Sequence, residues 1–75
     1  MRISYDEKAD AMYIRFSEDK YYESEEVKDG VILDYDKAGK VIALDVLDTA
    51  VNLPGIAMSS INFEILKPKL KASSN

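Results

Sequence analysis

The stretch GVILDYDKAGKVIALDVLD, residues 30–48, sets carboxylates at Asp34, Asp36, Asp45 and Asp48 among residues that favour β-strands. Carboxylates at such spacing suit two kinds of chemistry. They can ligate a hard cation such as calcium or magnesium through oxygen, or act as an acid and base pair flanking a scissile bond. Asp34 and Asp36 stand two residues apart and so share a strand face. Asp10 comes within reach if the first hairpin packs alongside, which makes these three the candidate metal ligands. Dedicated calcium loops gather several ligands around a glycine turn. That pattern is missing here, so the reading assigns no metal and no cofactor. Asp45 interrupts an apolar strand. A lone carboxylate in that setting belongs at a sheet margin or beside a cation, and Lys20, Arg15 and Arg2 are the candidates.

Nucleophilic catalysis needs an activated Ser, Thr or Cys, and the chain has neither histidine nor cysteine to serve. Seven serines without a base carry little weight. A sheet built from 75 residues also offers little concave surface for a substrate. The expectation is a protein without catalytic residues, with a carboxylate-based divalent-metal protein or enzyme as the alternative. Five tyrosines are many for this length, and tyrosine combines large contact area with a polar tip. Tyr5 and Tyr35 suit the closing of hairpin cores, whereas Tyr21 and Tyr22 are candidates for contact with another chain.

The elements that would position these groups are mostly strands. RISY and AMYIRF read as the first two, with Met12, Ile14 and Phe16 alternating against Tyr13 and Arg15. YYESEEV is an edge strand whose glutamates discourage pairing with other sheets, and Gly30 turns the chain into the fourth strand. The segments that follow Tyr5 and Tyr35 share one turn chemistry: Asp6 and Asp36 accept hydrogen bonds from loop N–H groups, and Gly39 supplies the positive φ of a three-residue loop with a bulge. That loop pairs Tyr35 with Val41, Leu33 with Ala43, Ile32 with Leu44 and Val31 with Asp45. Val31, Leu33, Tyr35, Val41, Ala43, Asp45 and Leu47 then form one face, and Ile32, Asp34, Ile42, Leu44 and Val46 the other. Both faces are largely apolar, so the ribbon belongs in the middle of a sheet and needs cover on each side. Val31, Leu33, Val41 and Asp45 join Tyr21 and Tyr22 as interface candidates. Asp48 or Thr49 caps a short helical turn that Pro54 and Gly55 end. IAMSS adds a further turn, and SINFEILK alternates as a strand would. The predicted fold is α+β, mainly β: an antiparallel meander of about five strands with one or two short helical turns.

So short a chain buries only about 60% of the surface its unfolded state exposes. Without cysteine for bridges, oligomerisation is the remaining support, and a homodimer is expected. The reading places one domain over residues 1–66 and a basic, flexible tail over 67–75. Residues 1–48 carry 13 acidic and 7 basic groups, and residues 49–75 carry Glu64 against Lys67, Lys69 and Lys71, within a net charge of −4. An acidic body repels phosphate backbones and attracts basic proteins, so no nucleic-acid partner is expected. The missing cysteines, the absence of an apolar leader and the lack of roughly 20 consecutive apolar residues point to a soluble cytoplasmic protein without a membrane partner.

YDEKADAMYIRF, followed by ESEEVKDGVILDYDKAGKVIALDVLD, resembles a widespread prokaryotic family known as domain of unknown function 2283. The likeness spans about residues 3–48 and is carried by Tyr5, Asp6, Asp10, Tyr13, Gly30, Asp34, Tyr35, Asp36 and Gly39. The resemblance implies a small sheet with a little helix and brings no catalytic residues. Some members are encoded beside small presumed toxins, which implies that relatives act as neutralising partners. The functional expectation is a small acidic protein-interaction module, antitoxin-like toward a small basic protein. A structural homo-oligomer without further activity is the other alternative.

Overall fold

The structure is a computed structural model, and it describes residues 1–68. Five strands, β1 (Arg2–Asp6), β2 (Ala11–Arg15), β3 (Glu23–Lys28), β4 (Val31–Tyr35) and β5 (Val41–Val46), precede a single helical turn, α1 (Thr49–Asn52). All strands join one antiparallel sheet in the order β1-β2-β5-β4-β3. The fold is α+β and mainly β, as the alternation of apolar residues predicts. The turns follow the same chemistry twice. Asp6 Oδ1 accepts hydrogen bonds from the N–H groups of Lys8 and Ala9 at 3.0 and 3.1 Å. Asp36 Oδ1 accepts from Ala38 and Lys40 at 3.0 and 2.8 Å, while Gly39 takes a φ of +86°.

The strand order shows how a short chain makes a wide sheet. The meander β3-β4-β5 forms one half, and the hairpin β1-β2 docks on the free side of β5, which leaves β1 and β3 as edges. Residues 16–22 therefore cross the ends of β5 and β4. Phe16 and Ser17 both donate backbone N–H to the Ile42 carbonyl at 2.8 and 3.2 Å, and Tyr22 donates to the Tyr35 carbonyl at 2.8 Å. Lys40 Nζ meets Asp19 Oδ2 at 2.5 Å along this crossing. Tyr21 and Tyr22, read in sequence as part of the third strand, belong to the crossing; β3 starts at Glu23 and runs along the edge with its glutamates exposed.

One register correction changes both faces of the sheet. Tyr35 does pair with Val41, but a bulge follows: Asp34 pairs with Ala43, Leu33 with Leu44, Ile32 with Asp45 and Val31 with Val46. Ile42 is the extra residue. Because side chains alternate with a period of two, a one-residue displacement turns every later residue of β5 to the opposite face. Leu44 and Val46 thus join Val31 and Leu33, whereas Asp45 and Ala43 join Ile32 and Asp34. The ribbon is not apolar on both sides as predicted. It has one apolar face and one polar face.

Past β5 the chain departs further from its sequence pattern. Asp48 precedes α1 with a left-handed backbone, φ +47° and ψ +59°, and its side chain makes no cap. Pro54 and Gly55 end the turn, as expected. SINFEILK, residues 60–67, whose alternation suits a strand, forms neither strand nor helix. Its alternation is real, but no sheet edge in the single chain receives it. Residues 69–75, most of the expected basic tail, lie outside the described residues.

Candidate functional site

On the apolar face the pairings set Ile3 and Tyr5 of β1 beside Ile14 and Met12 of β2, which face Leu44 and Val46 of β5, which in turn face Leu33 and Val31 of β4. Tyr35, Glu23 and Glu25 continue this face to the β3 edge, where the Tyr35 hydroxyl donates to Glu25 Oε1 at 2.9 Å and its own ionisation is pushed upward by that carboxylate. The cover over this face is slight. A four-residue turn is about 6 Å long, whereas five strands span about 19 Å at their usual spacing. Among the described residues the fully buried apolar side chains are Ile42, Ala43 and Val46. Met12, Ile14, Val31, Leu33 and Leu44 are half-buried, and Ile3 and Val41 are exposed.

The polar face gathers Tyr13 and Arg15 of β2, Ala43 and Asp45 of β5, Asp34 of β4 and Ser24 of β3. Asp45 was expected opposite Val31 and beside a cation. It lies instead between Tyr13 and Ile32, and its interacting neighbour is another carboxyl group. Burial, then a hydrogen bond that protonated Asp45 donates to Asp34, then the negative charge of Asp34, raise the Asp45 carboxyl to about 6. Ser24 Oγ donates to Asp34 Oδ1 at 2.6 Å and contacts the Tyr21 hydroxyl at 2.9 Å. The cations are engaged elsewhere: Arg15 donates to the Tyr13 hydroxyl at 3.0 Å and the Asp19 carbonyl at 2.8 Å, and Arg2 pairs with Glu18 at 3.0 Å. The chemistry open to this site is the retention of a proton by Asp45 beside the Asp34 carboxyl group.

Asp10 works at the opposite end of the sheet from the crossing segment. Its carboxylate accepts from the Tyr5 hydroxyl at 2.7 Å, from the Thr49 hydroxyl and from the Ala50 N–H at 2.9 Å. Its carbonyl accepts from Thr49 N–H at 3.1 Å. The Thr49 bond, the Ala50 amide and the Tyr5 hydroxyl, in that order, hold Asp10 below the usual carboxylate range, and Asp10 in turn raises Tyr5. This carboxylate from the first hairpin caps α1, the task sequence reasoning gave to Asp48 or Thr49. Only a contact between residues 39 apart reveals it.

A family model described as "Protein of unknown function (DUF2283)" matches residues 2–49. The chain belongs to the DUF2283 family. The matched span takes in all five strands and ends at Thr49. Comparison with curated proteins and with solved structures finds no match.

In this DUF2283 protein the three candidate metal ligands do not meet. Asp10 holds the clasp, Asp34 bonds to Ser24, and Asp36 lies in the turn beyond β4 with its Oδ1 taken by two backbone amides. Among the described residues no three His, Cys, Asp or Glu side chains come together as a metal site, and no helix is long and apolar enough to cross a membrane. Tyr21 and Tyr22 are exposed and, with Lys20 and Lys37, line a shallow hollow of about 230 Å³. It lies at the crossing end of the sheet and does not include Asp34 or Asp45. Gly30, at φ +81°, makes the turn into β4, where its N–H donates to Glu26 Oε2 at 2.8 Å and its carbonyl accepts from Leu47.

Proposed function

We propose that this DUF2283 protein is a non-catalytic protein-interaction module whose apolar sheet face binds a polypeptide and whose acidic β3 edge favours a basic one. The observation that carries this reading is the thinly covered face of Ile3, Met12, Ile14, Val31, Leu33 and Leu44 in a chain that fully buries only three apolar residues among those described. Contiguous apolar surface rimmed by polar groups marks interaction sites. Glu23 and Glu25 lie at the margin of this face, and opposite charge at a rim steers association. An antitoxin-like role toward a small basic protein is the specific form of this reading. The dispersal of Asp10, Asp34 and Asp36 weighs against the metal and carboxylate alternatives.

The test is affinity capture from source lysate with the native protein and with Ile3→Asp, an exposed position on the β1 edge where a charge leaves the core intact. The native protein is expected to retain a defined polypeptide, itself included, more strongly at low salt, and Ile3→Asp to lose it. Retention of nothing, or the same retention by Ile3→Asp, overturns the reading.

A further inference from the structure

Resting on that reading, we propose that the polypeptide bound is the segment Ile61–Leu66 of a second copy of this chain, exchanged reciprocally so that each apolar face is completed by its partner. In one chain this segment is stranded. Ile61, Phe63, Ile65 and Leu66 are 61, 69, 75 and 82% exposed, values ordinary for lysine and costly for large apolar side chains held in a row. The segment carries the alternation that docking on a sheet face needs. Asn62 Nδ2 donates to Glu64 Oε2 at 2.9 Å, a contact between residues two apart. Docked in an extended form, the segment would set Asn62 and Glu64 on one side and Ile61, Phe63 and Ile65 on the other. The docked segment would be a ribbon with Ile61, Phe63 and Ile65 on its apolar side, about as long as the strands it would cross.

Charge favours the same arrangement. The sheet, within residues 1–48, holds 13 acidic and 7 basic groups, while the segment runs directly into Lys67, Lys69 and Lys71. Glu23 and Glu25 border the apolar face on β3, where Lys67 of the docked segment would meet them. A twofold exchange uses the interface twice, burying two apolar segments and two faces for one loss of rotational and translational freedom. The family match ends at Thr49, before this segment begins, so the sheet is the common unit and the docking ribbon is carried outside it.

Sedimentation equilibrium on the full chain separates the outcomes. The native protein is expected to be a dimer at micromolar concentration, and the double variant Phe63→Asp with Ile65→Asp to dissociate at least 100-fold more readily. Both positions are exposed, so the double variant keeps its fold, which far-ultraviolet dichroism checks. A cysteine-free chain also permits a direct probe: with Lys67 at the β3 edge the far end of the segment reaches β1, so a mixture of Ile3→Cys and Ile61→Cys proteins should form a mixed disulfide on oxidation more readily than either forms alone. A native monomer overturns the exchange. A native dimer that the double variant leaves unchanged overturns it too, while loss of that dimer in Ile3→Asp would leave the apolar-face reading standing.

Discussion

Asp45 is the residue whose chemistry is furthest from that of an exposed carboxylate. Its neighbours across the polar face are Tyr13 and Arg15 on β2, Ile32 and Asp34 on β4, and Ser24 at the β3 edge, and burial and the Asp34 carboxylate both oppose its ionisation. Folding raises Asp45 from 3.8 to about 6. The folded state therefore holds a proton that the unfolded chain has released, and stability attributable to this group is complete below pH 3.8 and lost as pH rises through about 6. Asp45→Asn removes that penalty. It is expected to be more stable than the native protein at pH 7 by about 1–2 kcal/mol, after allowance for partial solvent access, with the difference vanishing near pH 4. Urea unfolding at a series of pH values measures it, and a constant difference across the range would refute the proton retained by Asp45.

The two glycine turns put the cost of backbone geometry to a test at the level of elements. Gly39 and Gly30 both have positive φ, but a Cβ at Gly39 meets open space, whereas one at Gly30 would lie 2.5 Å from Asn52 Nδ2. That amide donates to the Leu47 carbonyl at 2.7 Å and fastens α1 to the sheet. Gly39→Ala is expected to cost about 1 kcal/mol from the left-handed backbone alone. Gly30→Ala should cost about 1–2 kcal/mol more, because a packed contact must also move; equal losses in urea unfolding would contradict this. What the sequence made legible were the local features: the strands, the aspartate turns, the glycine positions and the glutamate-bearing edge. The Ile42 bulge escaped because Val41 and Ile42 are both strand formers and no glycine or proline marks the extra position, yet its effect reverses a face. The Asp34–Asp45 pair was hidden by that same slip. The Asp10 clasp was hidden by distance along the chain, since a capping carboxylate is sought next to its helix. The alternation of residues 60–67 suits a strand that does not form in the single chain, because alternation records an apolar side without saying which molecule covers it.

For the whole molecule, a single layer with three fully buried apolar side chains among the described residues leaves little margin against conformational entropy. If a partner copy supplies the missing cover, the melting temperature rises with protein concentration, because dimerisation stabilises by mass action. Calorimetry over a 100-fold range of concentration is expected to show a shift of several degrees, and a constant melting temperature would place the whole of the stability within one subunit. The strand order carries a kinetic corollary. Three of the four pairings join strands adjacent in sequence, but β2 meets β5 across an interval that includes the entire crossing segment and two intervening strands. The hairpin and the meander can each assemble early from short loops, and the seam between them must wait for a distant encounter. The protein thus has a natural line of cleavage into two cooperative units, held at one end by Asp10 on Thr49 and at the other by Phe16 and Ser17 on Ile42. Amide protons along β2 and its neighbour should exchange as a group whenever that seam opens.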